Sequence, residues 1–349
     1  MSVKPGDVCF YGSANMPDAD GLTTGGVVDT TKKISFADMS ANGLLDYVSD
    51  SASDTAVTIT ATVRDATGAI QTETKTLNGT TLVNGSQTTE RILKAVAGGT
   101  AAVGNIAVMA HTATISAHTA QTGSANSTGI TPALMKLQAG DGAGRTVGEL
   151  VRITSGTGSG QVREIIAGAN TYGTDFIAVD SDWSVIPDNT SVYTIANGMF
   201  FNKAPNKVTE VRRAFYNSSA DIQGGASKIY YEKIFAMNNN TATSLTAAAI
   251  IKQTDPSGGT LDFALCTALN DNATAANRQT LPTNQGGGAL TFSSGAAPQS
   301  TNVPAPGNLP AGAAPNAAGA EGVWLRLTLP AGLAPQKTGF TMREQGTTT

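Results

Sequence analysis

Charged side chains are scarce in this chain. Asp, Glu, Lys and Arg make up 14% of its 349 residues, against about 25% in a typical soluble protein. The formal net charge is -4, and no run of Lys and Arg is present. Because nucleic-acid binding depends on clustered basic side chains that displace counterions from phosphates, we expect no nucleic-acid partner.

Long apolar segments are also missing. The most apolar stretch, 92–115, is interrupted by Gly98, Gly99, Gly104 and Asn105, whereas a membrane-spanning helix needs about 20 predominantly apolar residues. The first residues, MSVKPGDVCFYGS, contain a proline and an aspartate in place of the apolar core of a secretory signal. We therefore expect a chain that is made in the cytoplasm and has no membrane partner.

The side chains that most often bind metals or act as nucleophiles are few. The chain has two cysteines, Cys9 and Cys266, and two histidines, His111 and His118. The cysteines are far apart, so both two reduced thiols and a disulfide, within or between subunits, remain open. The histidines lie in a Thr/Ala-rich stretch without an acidic sequence neighbour, and two ligands alone do not make a zinc site. We predict no catalytic residue and no cofactor.

Acidic residues are the remaining candidates for chemistry. The pairs Asp18/Asp20 and Asp180/Asp182 have the close spacing of loops that hold calcium. Asx turns explain the same residues without a metal, so both interpretations stay open. A glycan hydrolase needs two carboxylates and is the third functional hypothesis. An aromatic content of 5% argues against it, since aromatic rings are the usual platforms for sugars.

Alternating side chains predict β-strands in the N-terminal region, 1–115. In the segment 57–63 three threonines alternate with Val57, Ile59, Ala61 and Val63, which is the period of a half-buried strand. Turn sequences follow at 65–68 and at Asn78-Gly79, as in an antiparallel sheet. One short helix is predicted near 88–97, where Ile92, Leu93 and Val96 share a helical face.

A small polar stretch, 116–130, predicts a linker, and a β-barrel module is predicted at 131–198. In this module two predicted strands flank the turn Gly156–Gly160, and Trp183 is the predicted core residue. The turn superficially resembles a phosphate-binding loop. A P-loop, however, continues with Gly-Lys-Ser/Thr into a helix, and here Gln161 leads into a strand.

The C-terminal region, 199–349, predicts a β-sandwich with Trp324 in its core. Its segment 286–319 is rich in Gly, Ala and Pro and contains Pro304, Pro306 and Pro310. Because proline excludes regular strand pairing, we expect a long exposed loop that lies across a neighbouring subunit. The predicted fold class is therefore all-β, with tandem antiparallel β-sandwich and small β-barrel modules and long Gly/Pro/Ala-rich loops.

Two groups of segments carry a further signal. The first group is Val151–Ile165, Val179–Trp183 and Pro187–Ile195, and the second is Tyr231–Phe235, Asn238, Asp255-Pro256, Asn277-Arg278, Gly322–Leu325 and Leu329–Gly332. Both groups resemble segments of structural proteins of tailed bacteriophages. Related modules occur in head-associated, tail and fibre proteins, so the resemblance implies a virion protein and implies no catalytic residues.

These observations predict a non-enzymatic virion protein, first of all a decoration or cement protein on the outside of the phage head. Its expected partner is the major capsid protein of the same phage, and its expected state is a homotrimer at three-fold lattice points. The apolar cluster Cys9, Phe10 and Tyr11 is the candidate capsid anchor, with burial in its own domain as the alternative. The alternative function is a tail, baseplate or fibre component.

Overall fold

The computed structural model describes residues 3–203, 207–216, 225–240, 243–293, 299–303, 320–333 and 339–347. In these residues the chain forms β-strands and one short 3-10 helix, Pro5–Asp7, with no α-helix. The prediction of an all-β fold with antiparallel sheets is confirmed. No helix long and apolar enough to cross a membrane occurs in the described ranges.

The strands are numbered in chain order. They are β1 Val8–Asn15, β2 Thr24–Lys33, β3 Leu45–Ser49, β4 Val57–Arg64, β5 Ile70–Thr76, β6 Val83–Asn84, β7 Arg91–Gly99, β8 Ile106–Ala110, β9 Ile115–Thr119, β10 Ala133–Lys136, β11 Leu150–Ser155, β12 Val162–Ala167, β13 Phe176–Val179, β14 Val192–Ala196, β15 Gly198–Phe201, β16 Glu210–Arg212, β17 Lys228–Asn238, β18 Leu245–Thr254, β19 Thr260–Leu269, β20 Thr274–Ala275, β21 Gln299–Val303, β22 Ala320–Leu329 and β23 Thr341–Thr347.

The chain divides into two compact units. The first contains the described residues of Met1–Val3, Asp7–Ile34 and Arg213–Thr349, and the second contains Lys4–Gly6 and Ser35–Arg212. The sequence predicts three domains with boundaries near 115, 131 and 198. The units differ from these because β1, at the N-terminus, pairs with β17 of the C-terminal region.

The main sheet of the first unit has the strand order β19-β22-β17-β1-β2, and β20 also pairs with β2. β17 and β22 pair without a register shift from Lys228↔Leu329 to Met237↔Ala320. Alternate residues of the two strands, including Tyr230, Ile234, Val323 and Leu325, form one buried apolar cluster. A continuous register of this kind keeps the apolar side chains on one face of the sheet.

A second sheet of this unit has the order β21-β18-β23. β21, Gln299–Val303, lies inside the segment 286–319 and pairs antiparallel with β18, so the prediction of an unpaired arm is wrong for these residues. Phe292 also packs against the ring of Tyr231, with ring centroids 5.7 Å apart. The prolines Pro304, Pro306 and Pro310 lie outside the described residues.

The second unit contains the sheets β16-β7-β4-β5 and β15-β8-β3-β6. The predicted helix near 88–97 is wrong, because β7 pairs with both β4 and β16 there. The register moves from Thr62↔Lys94 to Val63↔Ile92, which leaves Leu93 as a β-bulge. The bulge turns both Ile92 and Leu93 towards the core, and this produced the helix-like spacing of apolar residues.

The third sheet of this unit has the order β10-β13-β12-β11-β14-β9 and surrounds Trp183, whose side chain is 2% exposed. The indole Nε1 donates to the carbonyl of Leu134 at 3.3 Å, and the Arg163 guanidinium lies 5.2 Å from the ring centroid. The stretch 116–130, predicted as a linker, also contacts the loop that carries Trp183. Asn126 exchanges hydrogen bonds with the backbone of Trp183 at 2.8 and 3.0 Å.

The turn Gly156–Gly160 connects strand β11 to strand β12 and does not lead into a helix. Gly156 has φ +76°, and a Cβ at this position would lie 1.9 Å from the carbonyl oxygen of Thr190. Only glycine fits such a backbone conformation in this space. The local glycine content is therefore explained by the turn itself.

Trp183→Ala should destabilise the second unit by about 3–5 kcal/mol, because it leaves a cavity in the centre of a packed core. The free energy of unfolding in urea, followed by a signal from this unit, measures the change. Val185→Ala is the matched control, since Val185 is in the same loop but 51% exposed. Equal unfolding midpoints for the two variants would contradict the central position of Trp183.

One carboxyl group of the first unit lies in an apolar environment. Glu344, on β23, is opposite the fully buried Ile250. Both of its carboxylate oxygens are buried and have no hydrogen-bond partner among the described residues. Burial raises the pKa of Glu344 to about 7.

The stability of the protein should therefore fall with rising pH. The pKa of the Glu344 carboxyl is about 7 in the folded state and 4.5 in the reference state, so folding favours the protonated form. Stability is highest below the lower value and declines as the pH rises through the upper one. Glu344→Gln should remove this decline, whereas Gln345→Ala, at an exposed neighbour, should keep it. Thermal unfolding across this pH range measures both, and an identical profile for Glu344→Gln and wild type would refute the assignment.

Candidate functional site

The predicted capsid anchor lies on β1, between β17 and β2. Cys9 and Phe10 are half-buried, and Tyr11 is 3% exposed. Phe10 packs against the apolar cluster of the main sheet, and the Tyr11 hydroxyl accepts a hydrogen bond from Asn239 Nδ2 at 3.1 Å. Burial in its own unit, the alternative left open by the sequence, thus describes Tyr11. Contact with the capsid through this segment stays a prediction. Of the three residues, Cys9 and Phe10 are the ones with enough exposed surface to make it.

The two acidic loops use their carboxylates within the fold. Asp20 accepts from Arg278 Nη1 at 3.0 Å, Asp182 accepts from the Ser127 backbone N–H at 2.8 Å, and Asp180 accepts from the Glu164 backbone N–H at 2.8 Å. Asp18 is exposed at the surface of its loop. Across the described residues no group of three or more His, Cys, Asp or Glu side chains is arranged to hold a metal ion. Hydrogen bonding within the protein therefore accounts for Asp20, Asp180 and Asp182 without a cation.

Each histidine has an acidic partner in space, although neither has an acidic neighbour in the sequence. His111 Nδ1 lies 3.0 Å from Asp46, and His118 Nδ1 lies 2.6 Å from Asp141. The Tyr193 hydroxyl also donates to Asp141, and burial together with this carboxylate raises the pKa of Tyr193. Such pairs orient an imidazole ring. In the described part of the chain no serine or cysteine is hydrogen-bonded to either ring, so neither pair extends to a nucleophile.

The most unusual arrangement of charges lies inside the first unit. We call it the buried charge cluster: Glu232 and Lys233 on β17, and Asp271 and Arg278 in the segments that flank β20. The side chains of Glu232, Lys233 and Asp271 are 0% exposed, and that of Arg278 is 1% exposed. Charged groups are almost never fully buried unless they are paired, so the cluster needs a precise set of partners.

The ammonium group of Lys233 contacts three oxygen acceptors and two aromatic rings. Nζ lies 2.5 Å from Asp271 Oδ1, 2.6 Å from the carbonyl oxygen of Asp271 and 3.3 Å from that of Ala273. The rings of Phe235 and Trp324 have their centroids 5.2 and 5.5 Å from Nζ. The ammonium therefore has three acceptors and two aromatic faces in place of water.

Asp271 is fixed by its own loop as well as by the lysine. Oδ1 accepts from the Ala273 backbone N–H at 2.9 Å, and Oδ2 accepts from the Gln285 backbone N–H at 2.6 Å. Burial acts to raise the pKa of Asp271, but the hydrogen bonds from Lys233 and from the backbone outweigh it and lower the pKa below the usual value. The carboxylate is held at both oxygens.

Arg278 forms the second half of the cluster. Its guanidinium lies 3.0 Å from Asp20 Oδ1 and 3.4 Å from Glu232 Oε2, and 5.6 Å from the ring centroid of Tyr230. Glu232 also accepts from the Thr24 hydroxyl at 3.3 Å. The cation thus joins a carboxylate at the loop surface to one in the interior.

Cys266 lies beside the Lys233–Asp271 pair. A Cβ placed on Gly322 would be 2.8 Å from Cys266 Sγ and 3.3 Å from Lys233 Cε, so these two side chains meet over the glycine. Burial raises the pKa of the Cys266 thiol to about 12, with the carboxylate of Asp271 contributing through a hydrogen bond. The thiol is therefore protonated at neutral pH, and no disulfide joins Cys9 to Cys266 within the chain.

Sequence patterns did not predict this cluster. Its signal is the pair Glu232-Lys233 in the middle of the otherwise apolar strand β17. Two adjacent charges at the centre of a buried strand require partners on both faces of the sheet. The partners Asp271 and Arg278 follow in a loop sequence, DNATAANR, that gives no pattern of its own.

Arg278→Met should destabilise the first unit by about 3–5 kcal/mol, because it leaves the buried carboxylate of Glu232 without its cation. Adding Glu232→Gln to this variant should recover part of the loss. The matched control is Lys32→Met, which breaks the partly exposed Lys32–Asp29 pair and should cost about 1 kcal/mol or less. Urea unfolding measures all three, and equal effects of Arg278→Met and Lys32→Met would refute the structural role of the cluster.

Comparisons of the chain with protein-family models, with curated proteins and with solved structures found no match. A proposal on function is therefore supported by the sequence resemblance and by the contacts of the described residues.

Proposed function

We propose that the chain is a non-enzymatic structural protein of a tailed-phage virion that decorates the outside of the head and stabilises the shell. Its partner in this proposal is the major capsid protein, and its active form is a symmetric homo-oligomer, most simply a trimer. A tail, baseplate or fibre component is the second candidate, since the sequence resemblance extends to proteins of those parts.

The proposal is supported chiefly by the position in the fold of the segments that resemble phage structural proteins. Val151–Ile165, Val179–Trp183 and Pro187–Ile195 supply β11, β12 and β14 and the core residue Trp183 of one six-stranded sheet. A segment that is reused among proteins needs such a core of its own, because its stability then does not depend on the rest of the host chain. The match thus covers a structural module and not a scattered set of residues.

The second group of segments is also a packed unit. Tyr231–Phe235 on β17 pairs with Gly322–Leu325 on β22, and the register places Lys233 opposite Trp324. Arg278, from the same group, contacts Glu232. The residues that carry the resemblance are therefore those that hold the first unit together, as expected when the shared property is a scaffold.

A candidate surface for the shell lies on two loops of the first unit. Leu22 is 57% exposed and Leu281 is 63% exposed. The loops that carry them are joined by Asp20 and Arg278, through the ion pair and a backbone hydrogen bond of 3.2 Å. Because many copies bind one lattice, a decoration protein needs only modest contacts of this kind in each copy.

The location on the virion is tested with particles of the phage that encodes the chain. Gold-labelled antibodies against the protein should mark the heads, and the purified protein should co-sediment with expanded capsids. Co-sedimentation with isolated tails alone would replace the head assignment by the second candidate. Absence of the protein from purified virions would refute both.

Variants locate the contact surface. Leu22→Ser/Leu281→Ser should reduce co-sedimentation with capsids while the unfolding midpoint stays close to that of the wild type, because both side chains are exposed. The control is Ile130→Ser/Val147→Ser, which changes residues with exposures of 61% and 56% in the second unit. Equal binding by both double variants would exclude these two loops as the contact.

A further inference from the structure

We infer that Lys233 and Asp271 form an intramolecular isopeptide bond, an amide between Lys233 Nζ and Asp271 Cγ that joins β17 to the segment before β20. The inference concerns the first unit by itself and does not depend on a virion function. It is carried by the contact geometry, the dry surroundings and the donors around the carboxyl group.

Proximity is the first requirement, and the pair meets it. Lys233 Nζ lies 2.5 Å from Asp271 Oδ1, and both side chains are 0% exposed. Both are anchored, Lys233 in a strand paired on its two sides and Asp271 by backbone hydrogen bonds at each oxygen. Two groups held in this way react as a single molecule, with effective concentrations far above any in solution.

The reaction is a condensation that needs no external reagent. A proton passes from the Lys233 ammonium to an oxygen of Asp271, which gives an amine and a carboxylic acid. The amine nitrogen attacks Cγ, the C–N bond forms, and the C–O bond to the protonated oxygen breaks. The second N–H proton leaves with that oxygen, so one water molecule is released and no electrons are exchanged with a partner.

The donors around Asp271 suit the tetrahedral intermediate. The Gln285 backbone N–H lies 2.6 Å from Oδ2, the oxygen that is not in contact with the amine. As Cγ is attacked, negative charge develops on this oxygen, and a fixed backbone donor stabilises it. The Ala273 N–H, 2.9 Å from Oδ1, keeps the carboxyl group in its orientation.

The surroundings exclude bulk water from the reacting pair. The rings of Phe235 and Trp324 flank Nζ, and the Cys266 thiol meets the lysine side chain over Gly322. The amide that forms is uncharged, so the reaction removes two buried charges from this interior. The same rings exclude the water that would hydrolyse the product.

Gly322 keeps the reacting groups packed together. A Cβ at this position would be 3.3 Å from Lys233 Cε and 2.8 Å from Cys266 Sγ. Any larger residue would push the lysine side chain away from Asp271. The one glycine of β22 thus lies where the lysine side chain packs against that strand.

Mass spectrometry of the full-length protein tests the bond directly. The wild-type chain should be lighter than its unmodified sequence by one water molecule. After unfolding and trypsin digestion, the peptides 229–252 and 253–278 should appear as one species, because trypsin does not cleave at a Lys233 whose amine is acylated. Recovery of the free peptide 229–233 together with an unmodified 253–278, from folded protein, would overturn the inference.

Two variants assign the linkage. Lys233→Arg and Asp271→Ala should each restore the mass of the unmodified chain and abolish the joined species. Lys252→Arg is the matched control, since Lys252 Nζ also lies 2.9 Å from a carboxylate, that of Asp255, but this partner is 44% exposed to water. That variant should keep the linkage, and a linkage mapped to any other pair of residues would also overturn the inference. If a variant fails to fold, the wild-type peptide map still decides.

Discussion

The first unit depends on the pairing of β17 with strands on both of its sides. β17 contacts β22 over ten register positions and β1 over five, so it is the centre of the main sheet. Its position buries Glu232 and Lys233, and their burial in turn requires Asp271 and Arg278 as partners. The loops that carry Asp20, Asp271 and Arg278 are ordered by this requirement, because a buried charge without a partner costs several kcal/mol.

The second unit is organised by carboxylates of a different kind. Asp54, 1% exposed, accepts from the Ser49 hydroxyl and from the backbone N–H groups of Val103 and Gly104. Asp50 accepts from Asn105 and from Arg163, which connects the four-stranded sheet of β3 and β8 to the six-stranded sheet. Each acid caps a turn through the backbone, so a chain with few charged residues uses many of them to fix loop geometry.

Local patterns allowed prediction of much of the fold. The segment 57–63 is a strand because its alternation and its turns are properties of neighbouring residues. The helix prediction for 88–97 was wrong because the bulge at Leu93 arises from pairing with β4. The residues of 88–97 alone carry no information about that partner strand. The pairs His118–Asp141 and Lys233–Asp271 could not be predicted for the same reason, since each joins residues that are distant in sequence.

The chain order of the main sheet has a consequence for biosynthesis. β1 and β2 leave the ribosome before β17, the partner of β1, which follows only after Ser35–Arg212 has been made. The second unit is a continuous insertion apart from Lys4–Gly6, so nearly all of it is available for folding while β1 still lacks its neighbour. During translation the first strands therefore remain unpaired on that side, and the first unit closes as a late, long-range step of folding.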